Sequence, residues 1–375
     1  MSSPALFAAE DRSHVLPDGQ TGLTGHRAAR WVWDMLDKDE NHLGDFAGIS
    51  GGSIDINVHA DTRASGSFTW HGTWDDLPDW DQLRVRPRYV AEFPDGSSVD
   101  WPMGVYLLAT PALTDDDGAV SGTVDFYDKT LILRQDAIEE AFGLDVGTDV
   151  TGAVRALVEG SVQAGVVAVE DSDQTLRTAM VWPAGTSKLR IVNDLLAAID
   201  YFAVWSDDVG TLRAAPYRPP SQRPVEYRFV DGHNAIFTSG WTQERDTFEV
   251  PNKVIAISEG DGNMEALVSV ATLDELDVSH PLGYGKRGRW VTRVEENVEA
   301  TSQEVLDAYA YRLIRESVQT AQGVEFTHAP IPLAMNGRYT FAHSGRDAVY
   351  GVLQQTRIDC TPAALWASTI REAVS

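Results

Sequence analysis

Between Trp31 and Thr130 the chain runs as short alternating segments broken by turn signals, and few fold classes accommodate that pattern. WVWDMLDKDENHLGDF alternates at Trp31, Trp33 and Met35, passes a charged turn, and resumes at Leu43 and Phe46, which predicts a β-hairpin. SIDINVHA alternates at Ile54, Ile56 and Val58. ASGSFTW, RVRPRYVAEF, WPMGVYLLATPAL and AVSGTVDFYDKT add further strands, punctuated by PDGSS and TDDDG. Strands at this density leave no room for the helical crossovers of a parallel sheet. The expected form is an antiparallel barrel or sandwich.

The period then changes. DAIEEAFGLDVGTDVTGAVRALVEGSV predicts short helices, with Val154, Leu157 and Val158 on one face, and AGVVAVE and AMVWPAG flank a polar turn. From Lys188, Ile191, Leu195, Leu196, Ile199 and Phe202 fall at helical spacing and form one apolar stripe. Alternation returns at Val204, and Ser206-Asp207-Asp208-Val209-Gly210 reads as a turn before Leu212, Ala214 and Pro216. Pro216, Pro219, Pro220 and Pro224 mark the exit from this helix-and-hairpin unit.

A second β-rich stretch follows. VEYRFVDG, NAIFTSGWTQERD and the buried-type run Asn252–Ile257 carry strand patterns, and VEFTHAPI, RYTFAHSG and VYGVLQQTRIDC close the chain. One helix interrupts them over 301–322: Thr301 and Glu304 fit a capping box, Val305, Ala308, Tyr309, Leu313 and Ile314 form a stripe, and Gly323 ends it. The first 30 residues are polar and read as an arm.

Fifty-six acidic against 30 basic residues give a net charge of −26, which disfavours general binding to phosphate backbones or anionic membranes. The N-terminus lacks the basic start and apolar run of a signal peptide, and no window approaches the ~20 apolar residues of a membrane span. The single cysteine, Cys360, excludes an internal disulfide and reads as a small buried residue.

No constellation singles out a catalytic or metal site. The nine histidines lack the spacing of a zinc motif. Asp37, Asp39 and Asn41 resemble the start of a calcium loop, but His42 and Gly48 stand where that loop needs Gly and Glu, so a charged turn is expected. Asp115-Asp116-Asp117-Gly118 reads as another turn. Gly283-Tyr284-Gly285-Lys286-Arg287-Gly288 lacks the P-loop pattern. As one of few basic clusters in an acidic chain, Lys286, Arg287 and Arg289 are the candidate partner-contact loop. No pair of carboxylates stands out as a glycosidase site. Trp31, Trp33, Trp70, Trp74, Trp80 and Trp101 suit a core or subunit interface better than a sugar-binding platform.

Several of these segments, in this order, resemble a known family. The helix reading LLxAIxYF (Leu195 to Phe202), the acidic turn with Gly210, and the strand ending AxPYRPP (Ala214 to Pro220) look like the tail hub proteins of actinobacterial siphophages. These are related to contractile-phage baseplate hubs and to the hub half of type VI secretion spike proteins. Ala64-Ser65-Gly66-Ser67, Leu83-Arg84-Val85-Arg86-Pro87, Asp95-Gly96, Trp101 with Gly104-Val105, and Tyr127-Asp128-Lys129 follow the family's order, and Val250–Ile257 matches the strand that opens its second barrel.

The resemblance implies a mainly β fold with an α+β insertion: an arm at 1–30, a first β-barrel (tube) domain at 31–130, a peripheral α+β domain at 131–224, and a second barrel with one helix at 225–375. It implies a non-enzymatic virion protein with no cofactor and no metal. Such a protein forms a homotrimeric, pseudo-sixfold ring that joins a distal tail ring to other tail-tip and receptor-binding proteins. The ring lines a channel for the tape measure protein and for DNA in passage, without specific DNA binding or membrane insertion. It would be made in the host cytoplasm. Two alternatives are a hexameric distal tail protein and a tail-tip carbohydrate-binding or cell-wall-degrading protein.

Overall fold

The computed structural model describes residues 25–161, 167–233, 235–245, 248–258, 266–296, 298, 303–319, 322–343 and 348–372. Most of the expected arm, and Thr301 of the expected capping box, lie outside them. The first segment holds nine strands: β1 (Ala28–Asp37), β2 (His42–Asp45), β3 (Ile49–Asn57), β4 (Ala64–Gly72), β5 (Leu83–Glu92), β6 (Ser98–Pro102), β7 (Tyr106–Leu108), β8 (Thr114–Asp116) and β9 (Ala119–Asp128). Every pairing among them is antiparallel, and β1 and β2 form the expected hairpin with Asp34 opposite Asp45.

The helical insertion contains α1 (Thr130–Gln135), β10 (Phe142–Leu144), α2 (Val150–Glu159), β11 (Val167–Val169), β12 (Met180–Trp182), α3 (Lys188–Ala198), β13 (Trp205–Ser206) and β14 (Leu212–Ala214). Ser187 caps α3 by accepting from the Arg190 amide at 3.3 Å, which satisfies one of the otherwise unpaired first-turn donors. Ile191, Leu195, Leu196 and Ile199 are all buried, as the stripe requires, and β13 and β14 form the hairpin. These residues close a core of their own with Val154, Val158, Trp182 and Leu212.

The last segment contributes β15 (Val225–Val230), β16 (Phe237–Arg245), β17 (Lys253–Ser258), β18 (Leu267–Thr272), α4 (Leu273–Leu276), α5 (Tyr284–Arg287), β19 (Thr292–Glu295), α6 (Gln303–Gln319), β20 (Gln322–His328), β21 (Arg338–Ala342), β22 (Val349–Asp359) and β23 (Trp366–Glu372). The two β-rich segments are continuous. β22 pairs antiparallel with β3, setting Ile358 opposite Ile54, so strands from both ends of the chain share one 15-stranded sheet. Its path runs β16-β20-β23-β22-β3-β4-β9-β7-β5-β1-β2, and no sheet among the described residues is closed. One aromatic-rich core follows that path, from Trp33, Phe68 and Trp70 through Tyr89 and Trp101 to Phe229, Phe326, Phe341 and Trp366. Trp33, Trp70, Trp80 and Trp101 are thus core residues, whereas Trp74 is exposed.

β17 does not join the large sheet. It lies between β18 and β19 in a three-stranded sheet backed by α6, with its own core of Val254, Ala256, Ala271, Leu306, Ala310, Leu313 and Ile314. Two expectations change here. The helix ends at Gln319, because a strand has begun by Gln322. Its buried face is Leu306, Ala310, Leu313, Ile314 and Ser317, and Ala308 is exposed. The run through Ile257 is also buried on one side only: Val254 and Ala256 face α6, while Ile255 and Ile257 are half-buried. No described helix is long and apolar enough to cross a membrane.

Candidate interaction surfaces

The basic loop is built between β18 and β19. Thr272 and Glu275 form a capping box at the start of α4, and the Asp274 carboxylate accepts the Tyr284 and Gly285 amides at 2.6 and 3.1 Å. Asn252, fully buried, pins the loop from beneath: its amide donates to the Leu282 and Arg289 carbonyls at 2.9 Å, and its oxygen accepts the Val291 amide at 2.8 Å. Gly288, at φ 72°, ends α5 in the left-handed region.

Arg287 donates to the Val250 carbonyl at 2.6 Å and to the Phe248 carbonyl, and Arg289 donates to the same Phe248 carbonyl at 2.6 Å. The Arg289 guanidinium also lies 4.1 Å from the Phe248 ring centroid. The structure therefore brings Arg287 and Arg289 together on the segment leading into β17, while Lys286 is exposed. Tyr284 stacks on Trp290 at 4.6 Å, and the Lys253 ammonium sits 4.2 Å from the Trp290 ring. Carbonyl acceptors leave the guanidinium charges in place, so the 286–289 segment is locally positive, while Asp274, Glu275 and Asp277 earlier in the loop balance it.

Beside the loop, the face of the three-stranded sheet away from α6 is apolar and open. Val268, Val270 and Val294 are 52%, 51% and 50% exposed, and Ile255 lies between Val270 and Val294 in register. Sequence reading missed this face by taking the Asn252–Ile257 run as wholly buried. The signal was present in LVSVAT, whose alternation also puts apolar residues on both sides.

A second exposed patch has the opposite charge. After β4 a single 3₁₀ turn, Trp74–Asp76, leaves Trp74 53% and Leu77 40% exposed among Asp75, Asp76, Asp79 and Asp81. The Trp74 indole donates to Asp115 of β8 at 2.6 Å, which ties this turn to the β8–β9 hairpin, whose exposed turn is Asp117-Gly118 rather than the whole 115–118 run. Asp115 also accepts the Gly118 amide at 2.8 Å, the turn geometry expected from the sequence.

The helical insertion is locked to the first β segment by polar contacts. Where the chain leaves β9 for the insertion, Lys129, almost fully buried, stands at the N-cap position of α1 and donates to the Glu40 carboxylate of the first segment. Arg63 donates to the Ala203 carbonyl at 3.1 Å and lies over the Trp205 ring; burial pulls it down to about 10, against the opposing charge of Asp128. Burial raises the Asp128 carboxyl, partly offset by hydrogen bonds from Thr130 and Ala64. The Gly104 amide donates to the Asp208 carbonyl at 2.8 Å, tying the β13–β14 turn to the lead-in of β7. These charges were visible in the sequence, but their burial was not.

Asp37 spends its carboxylate on the Asp39 and Asn41 amides at 2.8 and 2.9 Å, so the calcium-like segment is a capped turn. Potential ligand atoms of Asp34, His42 and Asp45 lie within 4.8 Å of one another. The Asp34 carboxylate, however, is already held by Arg86 and Arg88 at 2.8 to 2.9 Å. Burial pushes this carboxyl up, and the hydrogen bonds from Arg88 and Arg86 outweigh that and hold it below the usual range. Two guanidiniums at that distance disfavour a cation there. Cys360 is buried, and burial pushes its thiol well up.

No family model matches the sequence, and no curated protein matches it. The fold has clear relatives among solved structures. A tail protein from Neisseria meningitidis MC58 superposes with TM-score 0.66 at 12% identity, covering 92% of this chain and 97% of that one. The 43 kDa tail protein of prophage MuSo2 from Shewanella oneidensis gives TM-score 0.65 at 12% identity, covering 92% and 98%. A chain of the Francisella PdpA–VgrG complex gives 0.55 at 7% identity, covering 97% of this chain and 60% of that one. The protein thus has the fold of these phage and prophage tail proteins and of part of a chain in the PdpA–VgrG complex.

Proposed function

We propose that the protein is a structural hub of a phage tail tip. The carrying observation is that its fold matches two tail proteins over almost the full length of both chains. In this reading three copies form a ring, and each contributes two related β halves, so that the ring is pseudo-sixfold. It joins the hexameric distal tail ring to threefold tip components and lines a channel for the tape measure protein and then DNA. Each half acts as a barrel-like tube domain once neighbouring copies are in place, and the helical insertion is peripheral.

The role is mechanical: no residue is assigned to catalysis, and no cofactor or metal enters it. Lys286, Arg287 and Arg289 serve at a subunit or partner contact. The acidic surface keeps passing DNA from adhering, because like charge raises the energy of close approach. The protein resides in the virion, at the tail tip.

Copy number in the assembled particle tests this reading, by tail-tip reconstruction or by native mass spectrometry of the purified chain. Three copies per tail are expected. Six would move the protein to the hexameric ring above, and a monomer incorporated singly would remove the hub reading.

A further inference from the structure

Two exposed patches on this chain complement each other in charge and in apolar content. One is the open sheet face of Val268, Val270 and Val294, bordered by the positive loop of Lys286, Arg287 and Arg289. The other is the Trp74–Leu77 turn with Asp75 and Asp76, held to β8 by the Trp74–Asp115 hydrogen bond. Contiguous exposed apolar surface with a charged rim marks interaction sites on soluble proteins. Opposite charge then selects and steers the partner. In a chain of net charge −26 the basic loop repels few surfaces of its own kind, so a second copy presents a matching acidic partner.

We propose that the acidic Trp74–Leu77 patch of one copy docks on the sheet face and basic loop of the next; this rests on the ring reading above. The two patches are different surfaces of one chain, so the contact is heterologous, and repetition around an axis closes a ring. Trp74 and Leu77 cover the valines, and Asp75 and Asp76 meet the basic cluster of Lys286, Arg287 and Arg289.

The test uses the full chain, followed by sedimentation and native mass spectrometry, with circular dichroism to establish folding. Wild type should associate, with the association constant falling as salt rises, since screening weakens exposed charge pairs. Lys286→Glu alone, or Asp75→Lys with Asp76→Lys, should each weaken association roughly tenfold or more, and a chain carrying all three changes should recover most of that loss. Val270→Asp should weaken association regardless of salt. Reversed variants that associate as tightly as wild type, or a wild-type association indifferent to salt, would overturn this contact while leaving the ring intact. A wild type that stays monomeric at every concentration would overturn the ring reading and this contact together.

Discussion

Gly210 stands against Val105 so closely that a Cβ built on it would lie 2.7 Å from the Val105 side chain, and its φ is +86°. The β13–β14 turn thereby seats on the lead-in of β7, next to the Gly104–Asp208 hydrogen bond.

Gly210→Ala should therefore destabilise the protein by about 2–4 kcal/mol, combining left-handed strain of about 1 kcal/mol with overpacking of about 1–3 kcal/mol. Chemical denaturation measures it. Adding Val105→Ala to Gly210→Ala should relieve the steric part of the new loss and leave the backbone part. Full tolerance of Gly210→Ala would mean that the insertion is not seated as described.

His328 makes stability depend on pH. It is fully buried; its Nδ1–H donates to the Ala329 carbonyl at 2.8 Å, and its Nε2 accepts from Ser368, which also contacts Thr356 at 2.9 Å. Burial lowers it to about 4; the Ala329 hydrogen bond opposes this and the Arg27 charge adds to it. A folded value below the unfolded value of about 6.5 means the unfolded chain takes up the proton first. The contribution is complete above pH ~6.5 and is lost as pH falls towards 4, by about 3 kcal/mol. Urea denaturation across that window should show the loss, and His328→Asn should flatten that part of the curve. An unchanged slope in the variant would assign the pH dependence to other groups.

Asn252 holds the basic loop by three hydrogen bonds from a fully buried position. Asn252→Ala leaves the Leu282 and Arg289 carbonyls and the Val291 amide without that partner, which should cost about 2–3 kcal/mol. Limited proteolysis should then cut within 282–291 faster than in wild type while the helical insertion remains protected. Equal cleavage rates would show that α5 holds the loop without Asn252.

Much of the architecture was readable because period and burial are local. The stripe from Ile191 to Ile199 had to become a buried helical face, and the Trp31–Phe46 alternation had to become a hairpin around its charged turn. In α6 Leu313 and Ile314 are buried and Tyr309 packs against the same core, as expected, but Ala308 is exposed and Leu306 and Ala310 are buried in its place. Ala308 and Ala310 are two residues apart on α6 and alike in type, so which of them is buried is left to the sheet beneath the helix. The basic loop was found by its charge alone, whereas Asn252, which organises it, gave no signal: a single Asn becomes a pin only when three backbone groups converge on it.

By itself the sequence determined the strand-rich class, the change to a helical stretch in the middle, and the turns that follow Asp37 and Asp116, since each depends on residues within a few positions of one another. Tertiary structure alone decided that β3 pairs with β22, that Lys129 and Glu40 meet in a buried joint, and that a valine face lies open beside the basic loop. Those outcomes depend on pairings across scores to hundreds of residues. Loop-closure entropy and packing choose among such pairings, and no local pattern encodes the choice.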